Sequence, residues 1–158
     1  MSPAVAIMLA LGIGFVAGLR SMTAPAVVAW AAHLGILPLA GSHLAFMGST
    51  WAVAIFTLGA LGEFVADQLP STPPRTQAMG LIARIFTGGL SGACLGVEGG
   101  SSPWIAAIAG AIGGIVGAFA GYHARVGLVR FLKVHDIVIA ILEDLLAIGL
   151  GILLVTRV

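Results

Sequence analysis

The stretch GLRSMTAP, residues 18–25, interrupts the first apolar run of this chain, and the behaviour of its backbone decides how that run is built. Pro25 has no N–H and disfavours helix at Ala24, so a helix arriving from residue 4 is broken there and the Ser21 carbonyl is freed. Ser21 and Thr23 are residue types that cap a new helix. Two readings follow. If the helix restarts near mid-membrane, its N-terminus and Arg20 together attract an anion through backbone N–H groups and the helix dipole. If the first helix ends at Arg20, the guanidinium snorkels to the outer interface and residues 25–33 form a short interfacial helix. Length favours the second reading, because residues 4–20 alone nearly span a thin hydrocarbon core.

Working outward, the composition sets the class. Of 158 residues, 59% are hydrophobic and only 8% charged, whereas a soluble domain covers its surface with about one-quarter charged residues. Mean hydropathy is +1.13. The chain reads as one membrane domain spanning residues 1–158. A net charge of +1 provides no basic stripe for nucleic acid. The one cysteine, Cys94, excludes an intrachain disulfide and a thiolate cluster; between Ala93 and Leu95 it reads as a packing residue.

Apolar stretches long enough to span lie near 4–32, 48–69, 80–97, 104–125 and 136–156. Their apolar residues run on without alternating, which is helical and unlike a membrane β-barrel. The expected fold is therefore all-α: a polytopic transmembrane bundle of about five spans with a broken first helix. The opening stretch reads as part of the mature protein and not as a cleaved signal. Arg75, Arg84, Arg125, Arg130 and Lys133 gather on one side, which predicts a bacterial inner membrane protein with the N-terminus cytoplasmic and the C-terminus outside.

Charge inside these spans is the main functional signal. LGEFVADQLP, residues 61–70, places Glu63 and Asp67 one helical turn apart. Arg84 opens the third span, His123 and Arg125 close the fourth, and Glu143 and Asp144 lie in the second turn of the fifth. All fall in the cytoplasmic half, and ionisable residues in lipid turn inward or towards a water-filled cavity. With Arg20, these residues form the candidate ion- or substrate-binding set. Glu143 and Asp144 differ by about 100° around their helix, so one points to the common centre and the other to a neighbouring helix. Gly88, Gly92 and Gly96 lead to Arg84, and Gly113, Gly117 and Gly121 lead to Arg125; such small-residue stripes are packing faces within a bundle or between copies.

A weaker pattern suggests an inverted repeat. Residues 4–33, interrupted by GLRSMTAP, match 104–133, interrupted by GYHARVG, and each is followed by a helix carrying two acids. His33, His43 and His135 lack metal-ligand spacing, and no metal or cofactor is implied. Nucleophile elbow, phosphate loop and two-His zinc helix are all missing. The prolines of residues 68–77 read as a rigid cytoplasmic turn, and Trp30, Trp51 and Trp104 as outer-interface anchors.

GLRSMTAP, GEFVADQLPSTPPRT, ARIFTGGLSGA, GYHAR and LEDLLAIG together resemble the bacterial membrane proteins grouped as domain-of-unknown-function family 4126, over nearly the whole chain. The resemblance implies a small polytopic inner-membrane protein and supplies no catalytic residue. The residues themselves favour a small transporter or channel-like protein whose carboxylates take a cation or protons, with membrane lipids, a small ion or solute and further copies of the chain as partners. A scaffold with structural ion pairs and an enzyme acting on lipid headgroups are the alternatives. A transporter should carry a wet cavity to the acidic layer, an enzyme a cavity open sideways, and a scaffold charges that are paired and dry.

Overall fold

The computed structural model describes residues 2–67, 76–133 and 135–158. Among these the chain forms six α-helices and no strand: α1 (Pro3–Leu19), α2 (Thr23–His33), α3 (Thr50–Ala66), α4 (Ala78–Glu98), α5 (Pro103–Leu132) and α6 (Asp136–Val155), with a 3-10 turn at Ala45–Gly48 before α3. The all-helical bundle and the broken first segment are as the sequence implies. Three helices, α4, α5 and α6, are long and apolar enough to cross a membrane, while α1 and α3 are apolar with 17 residues each.

Local chemistry sets most ends. Ser2 caps α1, its Oγ accepting from Val5 N at 3.4 Å, and Ser49 caps α3, accepting from Ala52 N at 3.1 Å. Pro3 and Pro103 stand in the first turns of α1 and α5, where a missing N–H costs nothing. α5 stops at Lys133, the chain's one non-glycine residue with positive φ among those described, in the left-handed conformation that ends many helices. The break in the first segment falls at Arg20, which is extended, where the second reading ends the first helix. Pro25 and Ala24 are helical in the first turn of α2, a position that tolerates proline.

The break turns the chain back, which neither sequence reading contains. Gly12 of α1 abuts Leu154 of α6, Arg20 pairs with Asp144 of α6, and Val27 of α2 lies against Gly151. Seven residues of α6, roughly 10 Å of helix, separate Asp144 from Gly151. α2 thus climbs back alongside α1, and the two form a hairpin with Arg20 at its tip. α3 descends again along α2, with Gly48 beside Ala32, Trp30 Nε1 donating to Thr57 Oγ1 at 3.0 Å, and Glu63 at Ser21. Both chain ends consequently lie at the same end of the bundle.

The centre is a three-helix contact of α1, α4 and α5. α4 and α5 run antiparallel: a methyl group on Gly88 would stand 2.6 Å from the Gly110 carbonyl oxygen, and one on Gly92 2.6 Å from that of Ala106. α1 runs parallel to α5, with Gly14 against Gly110 and Gly18 against Gly117 and Ala118. Only backbone fits between these axes, so packing requires glycine at these positions. The glycine stripes are therefore occupied within one chain, where the sequence also offered them as faces between copies. Above them, Ile13, Val16, Val28, Leu37, Met47 and Leu95 form a buried core, Leu37 entering it from the loop after α2.

A further difference concerns the second half of the expected repeat. α5 continues through GYHARVG without interruption to Leu132. Its residues there lack the proline that follows Arg20, so nothing stops the helix. The outward faces of all the long helices carry Ile, Leu, Val and Phe, as lipid contact demands.

Candidate functional site

The charges meet at the hairpin tip. Arg20 is fully buried, and its guanidinium bridges two helices, with Nη1 on Asp67 Oδ2 at the end of α3 and Nη2 2.5 Å from Asp144 Oδ1 of α6. The Phe64 ring lies 5.6 Å from the same guanidinium, adding a cation–π contact. Arginine suits this place because a planar fork can serve two carboxylates at once.

Glu63, one turn before Asp67, occupies the start of α2. Its Oε1 accepts from Ser21 N at 2.8 Å and Ser21 Oγ at 3.0 Å, and its Oε2 from Met22 N at 2.9 Å. Arg84 Nη2 lies 3.4 Å from Oε1, while Nε and Nη1 donate to the carbonyls of Gly18 and Gly80 at 3.1 and 2.9 Å. The anion that the sequence reading calls to this helix start is thus supplied by the protein itself. Ser21 and Met22 act here mainly through backbone N–H groups, which carry no sequence signature; the capping character of Ser21 was the available signal.

A second cluster lies across α6. Arg125 holds Asp136 bidentately, Nε on Oδ1 at 2.9 Å and Nη2 on Oδ2 at 2.5 Å, and its Nη1 is 3.7 Å from Glu143 Oε2. Glu143 and Asp144 divide as their 100° offset implies, one turned to Arg125 and the other to Arg20. Seven of the eight candidates, Glu63, Asp67, Arg84, Arg125, Glu143, Asp144 and Arg20, therefore join one layer. His123 does not: it is exposed, its Nδ1 lies 2.7 Å from its own helix's Phe119 carbonyl, and its ring stands edge-on to Tyr122. The 3.6-residue period turns it away from the face that carries Arg125. Asp136 was missed because it opens α6 beside the loop and reads as an ordinary first-turn acid.

Two features define what this layer can do. Side-chain exposure is 1% for Arg20, 7% for Arg84, 11% for Glu63 and 9% for Glu143, so water reaches little of the layer except at Asp136, which is 60% exposed. Among the described residues, Arg20, Arg84 and Arg125 each pair with at least one carboxylate of this layer. Charges this deep persist only when paired or when they exchange protons or ions. Among the described residues no group of three or more His, Cys, Asp or Glu is arranged for a metal ion. An apolar groove of about 400 Å³ opens sideways between α4 and α5, lined by Ile85, Phe86, Trp104 and Ile108, and carries no charged residue.

Compared with known proteins, residues 7–157 match the family model described as domain of unknown function (DUF4126). No curated protein and no solved structure matches the chain.

Proposed function

Because the chain belongs to the DUF4126 family, whose description carries no activity, we propose from the charge layer itself that it is a small transporter or channel-like protein of the bacterial inner membrane, linked to protons or a small cation. One observation carries this reading: Glu63, Asp67, Glu143 and Asp144 meet Arg20, Arg84 and Arg125 in one layer whose side chains are at most 15% exposed, within an apolar bundle. Carboxylates held so far from water are places where a proton or a cation arriving from the aqueous phase can be taken up. The end bearing Arg84, Arg125, Arg130 and Lys133 faces the cytoplasm under the distribution of basic residues. Both termini then lie outside, because the α1–α2 hairpin returns the chain. Homo-oligomers, expected of so short a chain, use surfaces other than the glycine stripes.

The test is flux in liposomes containing the purified protein, read with a pH-sensitive dye and with potassium and sodium gradients. Wild type should dissipate a proton or cation gradient, and the double variant Asp144→Asn, Glu143→Gln should not. Equal leak in protein-free and protein-containing liposomes would sink the reading.

The scaffold reading has its own supporting observation, since each of the three arginines has a carboxylate partner and little exposure. It predicts that neutralising any one acid lowers stability and that no variant alters flux.

A further inference from the structure

α5 outlasts the helices it packs on. Its buried residues stop at Gly121, yet it stays helical to Leu132, so residues 122–132 carry the helix about 16 Å past its contact with α1 and α4. Arg125 ties the first turn of this projection to Asp136 and Glu143 of α6. Beyond it, Leu128, Arg130, Phe131, Leu132 and Lys133 are all exposed, Phe131 to 83%.

Aromatic residues set the depth of the projection. Trp104 and Tyr122 are both exposed on α5 and stand about 27 Å apart along it, close to the roughly 30 Å of a bilayer's hydrocarbon. Aromatic side chains gather at the two edges of that layer, so the helix past Tyr122 lies among the headgroups. There its sides divide. Leu128, Phe131 and Leu132 stand at i, i+3 and i+4 and share one side, while Arg130 and Lys133 lie about 140–200° round from Leu128. An apolar side with basic residues opposite is the make-up of helices that rest at the boundary between acyl chains and headgroups. Among the described residues neither Arg130 nor Lys133 is in an ion pair, unlike Arg20, Arg84 and Arg125. Their charge is open to an anion from outside the chain.

We propose that the end of α5 is a binding surface for anionic phospholipid, with Arg130 and Lys133 on the headgroup phosphate and Leu128, Phe131 and Leu132 against the top of the acyl chains. Charge selects a lipid over a second copy of the chain: a copy packed here would bring two more cations to the same level, whereas an anionic headgroup brings the opposite charge. The inference needs only that the bundle sits in a bilayer, and it stands whether or not the charge layer passes ions.

The test is fluorescence quenching in liposomes. A bimane label on Phe131→Cys is quenched by phosphatidylglycerol brominated near the top of its acyl chains, against phosphatidylcholine brominated at the same positions and mole fraction. The same label on Ile112→Cys, exposed in mid-span on α5, is the reference. Cys94 is fully buried and left in place, so wild type carried through the labelling serves as the blank. The surface predicts that phosphatidylglycerol is preferred at Phe131→Cys and not at Ile112→Cys, and that the preference falls about fivefold for each of Arg130→Gln and Lys133→Gln. Raised salt should weaken it as well. All the replaced residues are exposed, so the variants keep the packed core. Equal quenching by the two lipids at Phe131→Cys, or a preference that survives the double variant, overturns the proposal. Quenching by neither lipid also overturns it; a disulfide between two Phe131→Cys chains would then assign the surface to a second copy. No gradient enters the measurement, so its failure leaves a positive flux result standing, and absent flux leaves a positive lipid preference standing.

Discussion

Replacing Glu63 or Asp144 separates the two kinds of carboxylate in the layer. Glu63→Gln removes the charge that Arg84 faces and turns an amide donor towards donors, and loss of one partner from a buried pair costs about 3–5 kcal/mol. Asp144→Asn leaves Arg20 paired with Asp67, so its cost should stay below that of Glu63→Gln. Denaturation of both variants in the same detergent checks the ordering, and a larger loss for Asp144→Asn would contradict it. Arg20→Lys should approach the Glu63→Gln loss, because one ammonium cannot span acids on α3 and α6 as the guanidinium fork does. These residues were legible as a set, since an ionisable side chain in an apolar run has few places to go. Their individual partners were not. Backbone donors such as Met22 N are invisible in a sequence, and His123 was drawn in by its neighbour Arg125 although the helix turns the two apart.

At the scale of the helix, glycine placement gives the sharpest contrast. Gly14 and Gly110 touch through their backbones, so alanine at either forces α1, α4 and α5 apart and should lower stability by more than about 3 kcal/mol. Gly127 and Gly149 have open space where a methyl would go, and alanine there should raise stability by roughly 0.5–1 kcal/mol through helix propensity. Melting temperatures of the four variants test the assignment of which glycines pack. The stripes themselves were plain in the sequence, because i, i+4 spacing defines a face. Which helix each stripe meets depends on topology, and here the face of α4 serves α5 and α1 together. Helix limits were read within a few residues except at α5, where an interruption was inferred from GYHARVG without a proline to cause it.

For the molecule as a whole, the hairpin governs orientation. Hydropathy counts residues 4–32 as one stretch because it measures composition and has no sense of direction; a single span and a turn of α1 into α2 have the same apolar content. Contacts between α6 and both arms of the hairpin distinguish them. Impermeant maleimide on single cysteines placed at Ser2 and at Val158, in a Cys94→Ala background, should label both from the same side of sealed vesicles. Labelling from opposite sides would refute the hairpin. The bridge made by Arg20 also fixes an order of events during synthesis. Its first carboxylate, on α3, emerges from the ribosome soon after the hairpin, but its second, on α6, emerges only when the chain is nearly complete. Until then the newborn protein carries an incompletely paired arginine at the tip of its first two helices. The last helix to be made is thus the one that completes the charge opened by the first, and a chain cut short before α6 should be recognised as unfinished by membrane quality control.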